Sequence, residues 1–121
     1  MQIFSLRQCL AVIAVLISTG AAAECNYPAR VDIPNGSAAD RDAMVAGQQA
    51  VKAYISEMEA YLECILNEEK NIRAGMDNLD PETEQQREDV LNKKYNAAVE
   101  EMDRVAASFN EELRVYREKS Q

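Results

Sequence analysis

Histidine is absent from all 121 residues of this chain, and only three cysteines are present. Without histidine the chain cannot form a Ser-His-Asp or Cys-His catalytic arrangement, and it lacks the commonest zinc ligand. No two cysteines are spaced as Cys-x-x-Cys, which argues against a thioredoxin-like redox site. No apolar run approaches the roughly 20 residues that a membrane-spanning helix needs. We therefore expect a non-enzymatic protein without a cofactor or a metal ion.

The first 23 residues are typical of a secretory signal peptide. Arg7 precedes the short apolar run Leu10–Ile17, and small residues follow up to Ala23. We expect cleavage after Ala23 and a periplasmic or secreted product that does not stay inserted in a membrane. Retention as a signal anchor and lipidation of Cys25 are the alternatives. The first is disfavoured by the length of the run, and the second by the charged Glu24 where the processing enzyme needs a small residue.

Cleavage would remove Cys9 and leave two cysteines, Cys25 and Cys64. An even number of cysteines in an oxidising compartment predicts one disulfide. A bond within the chain is just reachable, because residues 24–36 fully extended span about as far as the predicted helix rises from Ser37 to Cys64. A bond between two chains is the alternative. We call residues 24–36 the strap, since an intramolecular bond requires them to lie straight along the first helix.

The chain is acidic, with 21 acidic against 13 basic residues and a net charge of −8. Such a chain is repelled by nucleic acid, so we expect no nucleic-acid partner. A basic protein or peptide remains a suitable partner, and its binding would weaken with salt.

Helical periodicity predicts a first helix over 37–74. Asn35-Gly36 favours a turn, Ser37 is a suitable N-cap, and Gly75 could end the helix in a left-handed conformation. Apolar positions recur in alternating steps of four and three, as in a helix packed along its length on another helix. This line comprises Met44, Gln48, Val51, Ile55, Met58, Leu62 and Ile65.

A second helix is predicted over 81–118, where Asp80-Pro81 combines an N-cap residue with proline at the first helical position. The link 75–80 is short, and short links join antiparallel neighbours. We therefore predict an all-α fold, a long antiparallel hairpin with coiled-coil-like packing in which Met58 faces Ala98. The apolar line of the second helix comprises Leu91, Tyr95, Ala98, Met102, Val105, Phe109, and then Leu113 or Tyr116.

A line of small residues beside the first apolar line is the predicted track of the strap. The track comprises Ala39, Ala43, Ala46, Ala50, Ala53, Glu57, Ala60 and Cys64. Alternatively, these alanines merely favour helix formation and face water. Two helices cannot enclose a core on all sides, so either the strap covers the open side or two hairpins pair into a four-helix homodimer.

Four residues are candidates for a partner surface. Tyr54 and Tyr61 are seven residues apart on the first helix, and tyrosine is favoured at interfaces. Val99 and Ala106 are apolar residues on the flank of the second helix that the hairpin leaves without an obvious partner. The interpretation in which the tyrosines flank the core remains open.

The loop from Asp77 to Glu84 is the best candidate for a cation site. It departs from the calcium-loop pattern, because Leu79 occupies a ligand position and the required glycine is missing. A helix cap at Asp80 in a solvated turn is therefore favoured. Adjacent carboxylates elsewhere, such as Glu100 and Glu101, point about 100° apart on a helix and form no acid/base pair.

Several motifs resemble a family of small exported helical-hairpin proteins of Gram-negative bacteria. They are Cys25-x-Tyr27-Pro28, Ile33-Pro34-Asn35-Gly36, Val51-Lys52-x-Tyr54, Tyr61-Leu62-x-Cys64, Tyr95-Asn96-x-Ala98-Val99, Val105-Ala106 and Phe109-Asn110. The resemblance implies a periplasmic location, a helical hairpin and a Cys25–Cys64 bond, and it implies no catalytic site.

We hypothesise that the protein is a periplasmic interaction or structural module with chaperone-like or adaptor-like behaviour, acting on an unidentified protein or peptide. The alternatives are a binder of a cationic peptide or a metal ion, and an accessory subunit of an envelope enzyme. The shape resembles that of small periplasmic helical chaperones, which is an analogy of architecture alone.

Overall fold

Two long helices joined by a short loop make up most of the chain in a computed structural model that describes residues 24–121. Helix α1 spans Arg41–Ala74 and helix α2 spans Pro81–Lys119, and this described part contains no strand. The predicted all-α fold agrees with the structure. The predicted signal peptide, with its cleavage site after Ala23, lies outside the described residues.

Helix α1 begins later than predicted, with Asp40 rather than Ser37 as its N-cap. The Asp40 carboxylate accepts a hydrogen bond from the backbone N–H of Ala43 at 2.8 Å. Ser37 instead belongs to a turn, in which its backbone N–H donates to the Asn35 side chain at 3.0 Å. The Asn35 carbonyl also accepts from the N–H of Ala39. The Asn35-Gly36 turn therefore extends through the position at which the first helical turn was expected.

The loop between the helices follows the prediction at its end and departs from it at its start. Asp80 caps α2 by accepting from the Thr83 N–H at 3.0 Å, and Pro81 occupies the first turn. Gly75, however, is right-handed, with φ −90°. The left-handed residue of the loop is Asn78, with φ 57°. Asparagine tolerates this conformation better than most residues with a side chain, so the reversal does not need glycine.

The core follows the predicted apolar line in α1 with two differences. Gly47 is buried where Gln48 was expected, and Ile55 is half-buried while Tyr54 is buried. In α2 the half-buried Leu91 and Met102 and the 37% exposed Tyr95 flank the core. The buried hydrophobic residues are Met44, Val51, Tyr54, Met58, Leu62, Ile65, Ala98, Val105 and Phe109.

Contacts between the helices fix the antiparallel register. Arg87 binds Glu69 across the hairpin, and Arg73 binds Glu84 nearer the loop. A Cβ added at Gly47 would lie 3.4 Å from the ring of Phe109, at the opposite end of the hairpin. These pairs agree with the register in which Met58 faces Ala98. Neither helix is apolar over a length that could cross a membrane.

Candidate functional site

A disulfide joins Cys25 to Cys64 within the chain, with the two Cα atoms 5.6 Å apart. The predicted pairing is therefore present, and its intramolecular form is the one observed. Cys25 Sγ also lies 3.4 Å from a carboxylate oxygen of Glu68, one turn further along α1. The first residues of the strap are thus fixed about two thirds of the way along α1.

The strap crosses α1 over a line of residues spaced by seven: Gly47, Tyr54 and Tyr61. A Cβ at Gly47 would overlap the ring of Pro34, so glycine is what allows this close approach. The rings of Tyr27 and Tyr61 meet edge to face with centroids 5.1 Å apart. Burial, followed by the neighbouring phenol of Tyr27, raises the pKa of Tyr54.

The other end of the strap contacts α2. The backbone N–H of Gly36 donates to a Glu112 carboxylate oxygen at 2.6 Å. A Cβ at Gly36 would overlap the main-chain carbonyl of Glu112, so the approach is backbone to backbone. From Pro34 beside Gly47 to Cys25 beside Cys64, nine residues cover about 25 Å of helix length. A fully extended chain of nine steps would reach about 30 Å, so the strap is stretched without being taut.

The alanine track is not where the strap lies. Ala43, Ala46, Ala50 and Ala53 are exposed, and the strap adjoins the track only at its far end, which comprises Glu57, Ala60 and Cys64. The prediction was wrong because the groove between the helices offers more apolar area than the outer flank of α1. It also offers Gly47, which has no side chain in the way. The alanines of the first three turns face water, as in the alternative interpretation.

A cleft of about 480 Å³ opens between the helices beyond the disulfide, towards the loop. It lies on the same side of the hairpin as the strap, because Glu68 is seven residues beyond Tyr61 on α1. Its apolar residues are Ile65, Ile72, Val90 and Leu91, and its polar residues are Glu68, Glu69, Thr83, Gln86, Arg87 and Lys94. Val90 is 53% exposed and Ile72 is 38% exposed, so apolar surface faces the solvent here.

The two carboxylates of the cleft differ, because Glu69 is paired with arginines and Glu68 is exposed to solvent. Glu69 accepts from Arg87 through both oxygens, at 2.9 and 2.8 Å, and from Arg73 at 3.0 Å. The bidentate Arg87 contact is the main reason that the pKa of Glu69 lies below its usual value. Glu68 stands exposed at the end of the cleft nearest Cys25. Its charge is therefore open to a basic group.

The four residues predicted to form a partner surface do not lie on one side of the hairpin. Tyr54 is buried at 4% exposure, and Tyr61 is half-buried beneath Tyr27. Val99 and Ala106 are half-buried on the far side of α2. Ala106 lies two residues, or about 200°, from Ser108, which adjoins the strap. Sequence reasoning missed Val90, whose one signal is an apolar side chain outside the predicted line.

Two of the loop residues considered for a cation, Asp80 and Glu84, have other partners. Asp80 caps α2, and the Thr83 backbone N–H is the main reason that the pKa of Asp80 is lowered. Glu84 binds Arg73 at 3.1 Å. Within residues 24–121, no three carboxylate or cysteine side chains converge into a metal site.

No protein-family model matches this chain, and the searches found neither a curated protein nor a solved structure similar to it.

Proposed function

We propose that this protein is a non-enzymatic binding module of the bacterial cell envelope, which holds an extended basic segment of a partner protein in the cleft near the loop. The observation that carries this proposal is the position of the strap. One stretch of the groove between the helices already accommodates an extended peptide, and the next stretch is open. An adaptor would use such a cleft to capture a second protein.

The side chains of the cleft indicate the character of that segment. Ile72 and Val90 provide exposed apolar area for alternate side chains of an extended peptide. Glu68 carries a charge that is not neutralised by a salt bridge in the described chain, whereas Glu69 is already satisfied by two arginines. The net charge of −8 attracts basic segments over a longer range.

A location outside the cytoplasm is part of the same proposal. The intramolecular disulfide supports it, because such bonds persist in oxidising compartments. The signal peptide and membership of the family of exported helical-hairpin proteins remain predictions. Sequencing the N-terminus of the protein recovered from the periplasm would test the signal peptide, and the proposal expects Glu24 there.

Fluorescence anisotropy with labelled peptides would test the binding function. The probes are a short peptide of alternating valine and lysine and a matched peptide of alternating valine and glutamate. We expect the lysine peptide to bind at least tenfold more tightly, with an affinity that falls as salt is added. Equal affinities for the two peptides would contradict the role of Glu68.

Variants of the cleft residues would test whether the peptide binds in the cleft. Ile72→Gln and Val90→Gln remove apolar surface without touching the buried core, and each should weaken binding of the lysine peptide several-fold. Ala53→Gln is the matched control, since Ala53 is exposed on the alanine track away from the cleft. Unchanged binding by both cleft variants would refute this location.

A further inference from the structure

An apolar band lies on the side of the hairpin away from the strap, and nothing in the described chain covers it. Val45 and Leu66 are each 45% exposed, and Tyr95 is 37% exposed. We call the surface formed by this band and its charged neighbours the back face. It comprises Val45, Lys52, Glu59 and Leu66 of α1 and Tyr95, Val99, Met102 and Ala106 of α2.

Helix geometry places the back face opposite the strap. On α1 its residues recur every seven positions, each two before a residue of the line Gly47, Tyr54, Tyr61 that the strap crosses. Two residues correspond to about 200° around a helix. On α2, Ala106 has the same relation to Ser108, which lies beside the strap. The strap therefore cannot cover the back face.

The α1 part of the back face is self-complementary. Its order along the helix is apolar, positive, negative, apolar: Val45, Lys52, Glu59, Leu66. When a second α1 lies antiparallel on the first, centred between Ile55 and Ser56, Val45 meets Leu66 and Lys52 meets Glu59. Because the arrangement is two-fold symmetric, each of these favourable pairs occurs twice.

The α2 part is self-complementary in the same sense. An antiparallel copy centred between Glu100 and Glu101 places Tyr95 opposite Ala106 and Val99 opposite Met102. Large side chains then meet smaller or flexible ones, as close packing requires. No charged residue of α2 falls between these four apolar positions on this face.

A single two-fold axis satisfies both helices. The α1 centre is as many residues from Glu69 as the α2 centre is from Arg87, and these two side chains bind each other across the hairpin. The two centres therefore lie at the same height. The antiparallel register within one chain does not by itself require the two centres to coincide.

We propose that the back face binds a second copy of this chain, giving an antiparallel four-helix homodimer in which α1 packs on α1 and α2 packs on α2. Charge complementarity between Lys52 and Glu59 sets the register, and the apolar pairs provide the buried area. At the ends of the bundle the same axis places Glu84 near Arg117, an attractive pair, and it places Arg41 near Lys70 and Asp42 near Glu69, two like-charged pairs. Glu69 is already bound by two arginines, and exposed pairs of this kind contribute little in solvent.

Sedimentation velocity on the protein as recovered from its native cells, with its disulfide intact, would test the dimer. We expect a concentration-dependent species of twice the chain mass. Lys52→Glu and Glu59→Lys each place like charges across the axis twice, and each should raise the dimer dissociation constant at least tenfold. The double variant restores opposite charges and should return to within about threefold of the original affinity.

Lys93→Glu is the matched control, because Lys93 is exposed on the outer side of α2 and its reversal should leave the dimer unchanged. Circular dichroism and disulfide mapping would show that each variant keeps its fold. A monomer at all concentrations up to millimolar would overturn the proposal and leave the back face to a different partner. Single variants that dimerise as tightly as the original chain, or a double variant that does not recover, would also overturn it. The peptide-binding variants lie on the other side of the hairpin, so the two proposals fail separately.

Discussion

The two halves of the hairpin are built from the same two helices, but only one half has a buried core. Every buried residue of α1 lies at or before Ile65, and every buried residue of α2 lies at or after Ala98. Residues 66–97, which include the loop and the parts of both helices next to it, contain none. The boundary falls beside Cys64, where the disulfide fixes the beginning of the strap.

This difference indicates what the strap contributes. Two helices alone bury a single seam, and a third layer is needed to exclude water from one side of it. In the strapped half that layer is an extended peptide, held by a disulfide at one end and by Gly36 at the other. In the half near the loop, arginine–carboxylate pairs such as Arg87–Glu69 join the helices instead. The open apolar residues there remain available to a ligand.

Removing the disulfide should have the largest effect on stability, because it removes the feature that distinguishes the two halves. Cys25→Ser with Cys64→Ser releases the beginning of the strap from α1. The bond closes a loop with a sequence separation of 39, for which chain entropy predicts a loss of about 3–4 kcal/mol of unfolding free energy. Urea denaturation followed by circular dichroism would measure the loss. A change below about 1 kcal/mol would contradict the importance of the strap.

Gly36→Ala should disrupt the contact between the other end of the strap and α2. The added methyl group would overlap the Glu112 main chain, which cannot rotate away. We expect a loss of about 1–3 kcal/mol, as for other overpacked sites. Gly75→Ala is the control in the loop, where the nearest atom would be 3.6 Å away and the conformation is right-handed. Thermal or urea melts should show that variant to be unchanged or slightly more stable, and equal losses for both would be evidence against strap packing.

Variants of the two candidate N-cap residues test where the strap ends and α1 begins. Asp40→Ala removes the acceptor for the Ala43 N–H and should cost about 1 kcal/mol. Ser37→Ala should cost less, because the Ser37 side chain contacts only Asn35 in an exposed turn. Urea melts of both variants would test this ranking. A larger loss for Ser37→Ala than for Asp40→Ala would indicate that Ser37 is the N-cap of α1.

Glu69→Gln should have the smallest effect, and it acts on the half near the loop. Losing the charge that Arg87 and Arg73 share should cost about 0.5–1 kcal/mol at neutral pH. The pKa of Glu69 is lowered in the folded protein, so its stabilising contribution is present above the unfolded pKa and is lost as the pH falls through the folded value. Melts of both proteins at descending pH should therefore converge. A difference that persists in acid would point to packing instead.

Much of this fold could be predicted from local patterns. The seven-residue periodicity identified the hairpin, Asp80-Pro81 marked the start of α2, and the two cysteines beyond the predicted signal peptide indicated one bond. These features depend on neighbours in sequence or on counting. The register also followed, because the short loop leaves antiparallel helices little freedom to slide.

The path of the strap could not be predicted in the same way. Length alone allowed the strap to lie on either flank of the apolar line, and the exposed alanine flank was the wrong choice. What selects the observed flank is packing against two helices at once, through Gly47 and Tyr61 on α1 and Glu112 on α2. The open cleft at Val90 is the space that the strap does not reach. The cleft therefore could not be predicted without knowing the path of the strap.

Hydrogen exchange with mass spectrometry tests the division of the hairpin most directly. In the disulfide-bonded protein, backbone amides of 44–65 and 98–113 should be protected more strongly than those of 66–74 and 84–90. Reduction should lower protection in the first set and leave the second set nearly unchanged. Uniform protection along both helices, or equal losses in both halves on reduction, would contradict the conclusion that the strap creates the core.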